Sequence, residues 1–155
     1  MTPTATILSL PGIVLDRVRS ERRDVSGNPV EFSEAEGGEP LRCCLRNAEA
    51  GEGIMLFGFE PDLPASPYRE IGAVFAHAEP CATTIIPSRY PDDWRDRPQV
   101  LRAYDSAGRI HPASRVHDGS DPEGVIAAIF ADPEVVQIHS RNIVYGCYMF
   151  TVQRG

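Results

Sequence analysis

The sequence predicts an α+β fold in a single domain, mostly antiparallel β-sheet with one clear and one weaker helix. Three observations predict it. Short apolar runs separated by turn residues recur along the chain. Hairpin punctuation dominates, with neither regular βαβ alternation nor a glycine-rich nucleotide loop. One segment, Ser120-Asp-Pro-Glu123, carries a helix-start signature ahead of an apolar stripe.

Taken in order, Ile7 to Leu10 is a short apolar run suited to an edge strand. Pro11 opens the weaker helix, Gly12 to Arg23, with Ile13, Val14 and Val18 apolar against four arginines. Ser26-Gly27-Asn28-Pro29 is turn chemistry, and the acidic stretch Glu31 to Pro40 reads as a solvated loop. Leu41 to Leu45 reads as a strand, whose period of two puts Leu41, Cys43 and Leu45 on one face and Arg42, Cys44 and Arg46 on the other. Ile54 to Phe59 is continuously apolar, as a central strand would be, and Ile71 to Ala78 is the next strand. A proline-rich loop, Pro61 to Pro67, separates them.

Thr83 to Pro98 holds three prolines and the single tryptophan, Trp94. It reads as a long surface loop with one helical turn at Asp92 to Arg97. Val100 to Tyr104, the turn Asp105-Ser-Ala-Gly108 and the segment from Arg109 make the clearest hairpin. The clearest helix follows, with Val125, Ile126, Ile129 and Phe130 as its stripe and Asp132-Pro133 as its stop. Val135 to Ser140 is a strand, Arg141-Asn142 a turn or bulge. Val144 to Val152 is a final strand, apolar on both faces and so expected inside the sheet.

Composition narrows the function classes. The chain has 155 residues, the size of one ordinary domain, and needs no disulfide or metal to bury a core. Its net charge of −7 disfavours nucleic acid and anionic membrane surfaces as partners. All fifteen basic residues are arginine, which excludes Schiff-base lysine chemistry and a P-loop lysine. No charged segment precedes an apolar run near the N-terminus, and no stretch approaches the ~20 apolar residues of a membrane span. The expectation is a soluble cytoplasmic protein with reduced cysteines; Cys43 and Cys44 are adjacent, which does not suit a disulfide framework.

The segment His77-Ala-Glu79-Pro-Cys81 concentrates the chemistry. As a catalytic set, Cys81 would be the thiolate, His77 its base and Glu79 the carboxylate that orients the ring. The bland alternative is a buried cysteine, a satisfied histidine and a strand-end glutamate. Cys44, flanked by Arg42 and Arg46, is a second thiol whose ionised form two guanidiniums would favour. Gln137, His139 and Arg141 share a strand face. Either it is the solvated side of a sheet, or it lines a cleft in which Arg141, with Asn142 and Tyr145, clamps an anion. A metal set can also be drawn from His77 and Cys81 with Cys44 and Cys147, although no Cys-x-x-Cys pair supports it. His111 and His117 read as solvent-exposed. No nucleophile elbow, His-Glu-x-x-His or kinase signature is present.

Pro40-Leu-Arg-Cys-Cys44-Leu-Arg, Ser66-Pro-Tyr68, the block from Val74 through Cys81, Leu101-Arg-Ala-Tyr-Asp105 with Gly108-Arg-Ile, and Asp132-Pro-Glu-Val followed by His139 to Phe150 resemble, in that order, the DUF1203 family of bacterial domains of unknown function. The resemblance runs from about Gly37 to the C-terminus. It implies one compact bacterial domain and no activity. Relatives often read Cys-x-x-Cys-Leu-Arg where this chain has Leu41-Arg-Cys-Cys44-Leu-Arg, which counts against a metal knuckle at that place.

Together these readings lead to one expectation about function. A cleft formed by the Cys44 strand, the His77–Cys81 segment and the Arg141–Cys147 turn, with His139 and Cys147 beside it, would bind a small anionic metabolite or peptide without a cofactor. Its catalytic form is a thiol-dependent enzyme. The rivals are a non-catalytic interaction module and a zinc-stabilised structural domain.

Overall fold

The computed structural model describes residues 5–81 and 85–155; Met1 to Thr4 and the start of the predicted loop at Thr83 lie outside them. In chain order the elements are Ala5–Leu8 (β1), Gly12–Glu21 (α1), Glu31–Glu34 (β2), Pro40–Leu41 (β3), Arg46–Asn47 (β4), Gly53–Phe59 (β5) and Gly72–His77 (β6). A 3-10 turn at Asp92–Trp94 follows, then Gln99–Tyr104 (β7), Arg115–His117 (β8), Pro122–Phe130 (α2), Gln137–Arg141 (β9) and Tyr148–Arg154 (β10). The class is α+β: two helices and two mostly antiparallel five-stranded sheets.

The chain forms two compact units. One comprises Met1–Leu8, Pro61–Glu70 and Ile86–Gly155, the other Ser9–Glu60 and Ile71–Ile85. The first unit holds the sheet β1-β10-β9-β7-β8 with α2, and the second the sheet β2-β5-β6-β3-β4 with α1.

In the first unit, β10 lies between β1 and β9, as its two apolar faces require, and Met149, Phe150 and Val152 are fully buried. Its start differs from expectation. Ile143, Val144 and Tyr145 are exposed in a loop, because Gly146 takes a positive φ of 71° that breaks the strand. Trp94 stacks on Phe150 at 6.0 Å, so the long proline-rich segment is partly core. The turn at Asp105 forms as predicted: its Oδ1 accepts the N–H groups of Ala107 and Arg109, and Gly108 has a φ of 74°. The returning strand does not start at Arg109. Only a bridge at Tyr104–Ile110 forms before β8, because Pro112 lacks a ladder donor and Ser114 Oγ takes the Ala103 N–H instead.

Helix α2 begins one residue later than the Ser120 signature suggests. Asp121 is the N-cap, accepting the Gly124 N–H at 3.1 Å, with Pro122 in the first turn. Ser120 bonds Asp118 instead, and the Glu123 carboxylate takes Arg95 and the Tyr90 N–H. His117, expected at the surface, is buried. Its Nδ1 accepts the Gly119 N–H at 3.0 Å, and Nε2 faces the Tyr90 hydroxyl at 3.2 Å.

In the second unit, β5 is central, between β2 and β6, and buries Ile54, Met55, Phe57 and Phe59. Helix α1 covers this unit's core with Leu15 and Val18 and ends at Arg22 in the left-handed conformation. Glu31–Glu34 is an edge strand and not a loop. Its backbone pairs with β5 residue for residue while all four side chains stay exposed, so no alternation in the sequence announces it.

Candidate metal centre

Strand β3 ends at Leu41, which corrects the reading of Leu41–Leu45 as one strand. The Leu45 N–H donates to the Leu41 carbonyl at 2.9 Å and Leu45 takes a φ of 56°, closing a one-turn loop before β4. Inside that loop strand alternation no longer applies, and Cys43 and Cys44 reach the same side, Sγ to Sγ 3.9 Å. The Arg42 N–H donates to the Phe75 carbonyl at 2.9 Å, which registers the loop against β6. The Arg42 side chain is buried and donates to the Pro40 carbonyl, so it does not flank Cys44 in solvent.

At the end of β6, His77 Nδ1 lies 3.3 Å from Cys43 Sγ and 3.8 Å from Cys44 Sγ. Cys81 completes the group, and one ligand atom from each of the four residues lies within 4.8 Å of every other. A tetrahedral zinc with three thiolates and one imidazole spaces its donor atoms about 3.5–3.8 Å apart, from bonds of about 2.3 and 2.0–2.1 Å. The His77 contacts and the Cys43–Cys44 separation are of that size. The predicted pair His77 and Cys81 thus comes together, joined by Cys44 as drawn and by Cys43 in place of Cys147.

The ring's orientation comes from a residue that sequence reasoning missed. Glu79 is exposed and contributes only its backbone carbonyl, to Arg19. Glu52 takes the orienting role instead. Its Oε2 is 2.6 Å from His77 Nε2, and both its oxygens accept from Arg46 at 2.9 Å. With Nε2–H donated to Glu52, Nδ1 keeps its lone pair for the sulfur side, which is the tautomer a metal ligand needs. The Arg46 guanidinium, the Glu49 N–H and His77 hold the Glu52 carboxyl well below the usual carboxylate range, so it is anionic throughout.

The thiols are poised as a set. The Cys44 S–H and the His77 backbone N–H at 3.3 Å pull Cys43 down to about 5, against its burial. Cys44, as the donor to Cys43 and itself buried, is pushed up. One thiolate and one thiol therefore share the pair when no cation is present.

A second group of ligand types among the described residues, His111, Asp132 and Glu134, is not a comparable centre. His111 Nδ1 accepts the Ala113 N–H at 3.0 Å, so Nε2 carries the proton that faces both carboxylates at 3.4 Å. That is a histidine hydrogen-bonding to two carboxylates, largely buried and not solvent-exposed as expected.

The remaining predicted residues, Arg141, Asn142, Tyr145, His139 and Cys147, belong to the first unit. Their strand face is not solvated: His139 is 1 % and Arg141 8 % exposed. Both line a shallow cavity with Pro61, Leu63, Tyr68, Glu70 and Tyr104. Asn142 and Tyr145 do not line it. Asn142 Oδ1 accepts from Gln99 at 3.4 Å, and the Tyr145 side chain is exposed.

Burial holds His139 down at about 3, with Arg141 and Arg102 adding to the effect, so it is neutral in the fold. The unfolded chain protonates this histidine near 6.5 while the folded chain does not. The stability this contributes is complete above pH 6.5 and is lost progressively as pH falls toward 3, by up to about 5 kcal/mol. Urea midpoints between pH 7 and 4 should fall more steeply for the wild type than for His139→Leu. Parallel slopes would contradict a neutral buried imidazole.

Residues 38–154 match a family model described as a protein of unknown function, DUF1203. No curated protein and no solved structure matches the chain. Among the described residues no helix is long and apolar enough to cross a membrane.

Proposed function

The chain belongs to the DUF1203 family, described as a protein of unknown function, and from its geometry we propose that the second unit is a zinc-binding module in which Cys43, Cys44, His77 and Cys81 ligate one ion. The observation that carries this reading is the mutual approach of four ligand atoms from two separated chain segments. Four protein ligands close a tetrahedral shell, the pattern of a structural ion and not of a catalytic one that keeps a position open. Arg46 and Glu52 stand behind His77 as outer partners, as metal-bound histidines require. The ion would hold the β3–β4 loop to the end of β6 and to the segment after it, taking the negative charge of the thiolates into a largely buried place.

Metal analysis of protein purified without chelator tests this: one zinc per chain is expected. Cobalt substituted for it should show thiolate-to-metal charge-transfer absorption and the visible bands of a tetrahedral ion. Glu52→Gln should weaken zinc about 10–100-fold, since it loosens the ring without removing a ligand. A chain with no bound metal and no uptake from micromolar zinc sinks the proposal.

The second reading is thiol chemistry at the same place, favoured by the depressed Cys43 thiol. Cys43 then replaces Cys81 as the thiolate, and Cys81, the more accessible of the two, is its neighbour. Alkylation followed by peptide mass spectrometry separates the readings. Labelling released only by chelator supports the metal, and rapid labelling below pH 7 regardless of chelator supports the thiol.

A further inference from the structure

The cavity of the first unit contains two polar atoms that the fold leaves unsatisfied. His139 Nδ1 and Arg141 Nε are both buried, and neither has a hydrogen-bond partner. Native folds pair nearly all such atoms, so two on alternate residues of one strand, both lining one cavity, call for a ligand.

Their chemistry specifies what would fit. The Gln137 side-chain oxygen Oε1 at 3.0 Å takes the Nε2–H of His139, which leaves Nδ1 as an acceptor in need of a donor. The ring is clamped by Tyr104 at 4.6 Å and Tyr148 at 5.4 Å, so it cannot turn to find one. On Arg141, Nη1 donates to the Gly146 carbonyl at 2.9 Å and Nη2 meets the Glu70 carboxylate, while Nε–H donates to nothing. The edge of a guanidinium formed by Nε and Nη2 is the one that grips a carboxylate with two parallel bonds. Here it is half used.

The charge agrees. Arg102 and Arg141 share the single carboxylate of Glu70, with Arg102 Nη1 at 3.2 Å. Glu70 is half-exposed at the end of the Pro61–Glu70 segment, and it already makes one of the two contacts that a ligand carboxylate would make.

We infer that this cavity binds a small 2-hydroxycarboxylate, whose carboxylate takes the Nε–Nη2 edge of Arg141 in exchange for Glu70 and whose hydroxyl donates to His139 Nδ1. A plain carboxylate satisfies the arginine and leaves the histidine acceptor buried and unpaired, so the site discriminates by the hydroxyl. Glu70 is the competitor within the chain and keeps affinity low until it swings away. The inference concerns the first unit and stands whether or not the second unit holds a metal.

Glycolate and acetate, titrated calorimetrically into the intact chain, test it. Glycolate should bind the wild type weakly and Glu70→Ala at least tenfold more tightly, with acetate at least tenfold weaker than glycolate in both. Arg141→Lys keeps the charge but lacks the Nε–Nη2 edge, and should cost glycolate at least tenfold in the Glu70→Ala background. Arg141→Gln should abolish binding, with thermal unfolding as the check that each variant is folded. Absence of glycolate binding to both wild type and Glu70→Ala overturns the proposal. So does binding indifferent to Arg141→Lys, or acetate equal to glycolate.

Discussion

Removing zinc should lower the melting temperature by roughly 10 °C. An ion that binds only the folded state adds about 4 kcal/mol when its free concentration is a thousand times its dissociation constant, and a chain of this size shifts about 2–4 °C per kcal/mol. The effect should be local. Hydrogen exchange should rise in the β3–β4 loop and at the end of β6, where Cys43, Cys44 and His77 sit, while β9 and β10 of the other unit keep their protection. The unit should not unfold outright as a zinc-finger peptide does, because Leu15, Ile54, Met55 and Val74 give it an apolar core. Cys43→Ser should melt close to the chelated wild type and gain nothing from added zinc. If chelator moves neither the melting temperature of the wild type nor its exchange pattern, the four residues are a structural cluster without an ion.

Gly119→Ala should cost more than about 3 kcal/mol, which is large for one methyl group. Gly119 has a φ of +90°, and a Cβ there would lie 2.3 Å from the Arg97 nitrogen and 2.7 Å from its carbonyl oxygen. Both obstacles are backbone, so no side-chain rotation relieves them. The Gly119 N–H is also what His117 Nδ1 accepts, and the Asp96 N–H bonds the Gly119 carbonyl at 3.3 Å. Displacing the turn therefore disturbs the buried His117–Tyr90 contact as well. Gly27→Ala is the control: its φ is +79° with nothing within 4 Å, so only left-handed strain is added, about 1 kcal/mol. Urea unfolding of both variants gives the comparison. Equal losses would mean that the backbone approach at Arg97 is not tight.

Several elements were legible because their cause is local. The Ser120–Glu123 signature places the start of α2 to within one residue, Asp105 and Gly108 set a turn, and the continuous apolar runs place β5 and β10 inside their sheets. What was illegible has a common cause too. The polar edge strand Glu31–Glu34 pairs through backbone alone, and His117 is buried by Tyr90 and Gly119, neither of which its neighbours reveal.

The candidate centre divides along the same line. Sequence alone concentrated the chemistry at His77 and Cys81, noted adjacent cysteines at 43 and 44, and excluded lysine-based mechanisms. It could not say that Cys43 and Cys44 face one way, because period-two alternation holds only while the chain is extended, and the left-handed Leu45 ends that. Nor did any spacing join Glu52 to His77, which lie twenty-five residues apart and meet through the pairing of β5 with β6. In the first unit, the arginine and the histidine of one strand were visible as a row. Whether that row faced water or a cavity was decided by the segment ending at Glu70, which packs there through long-range contacts that no local pattern encodes.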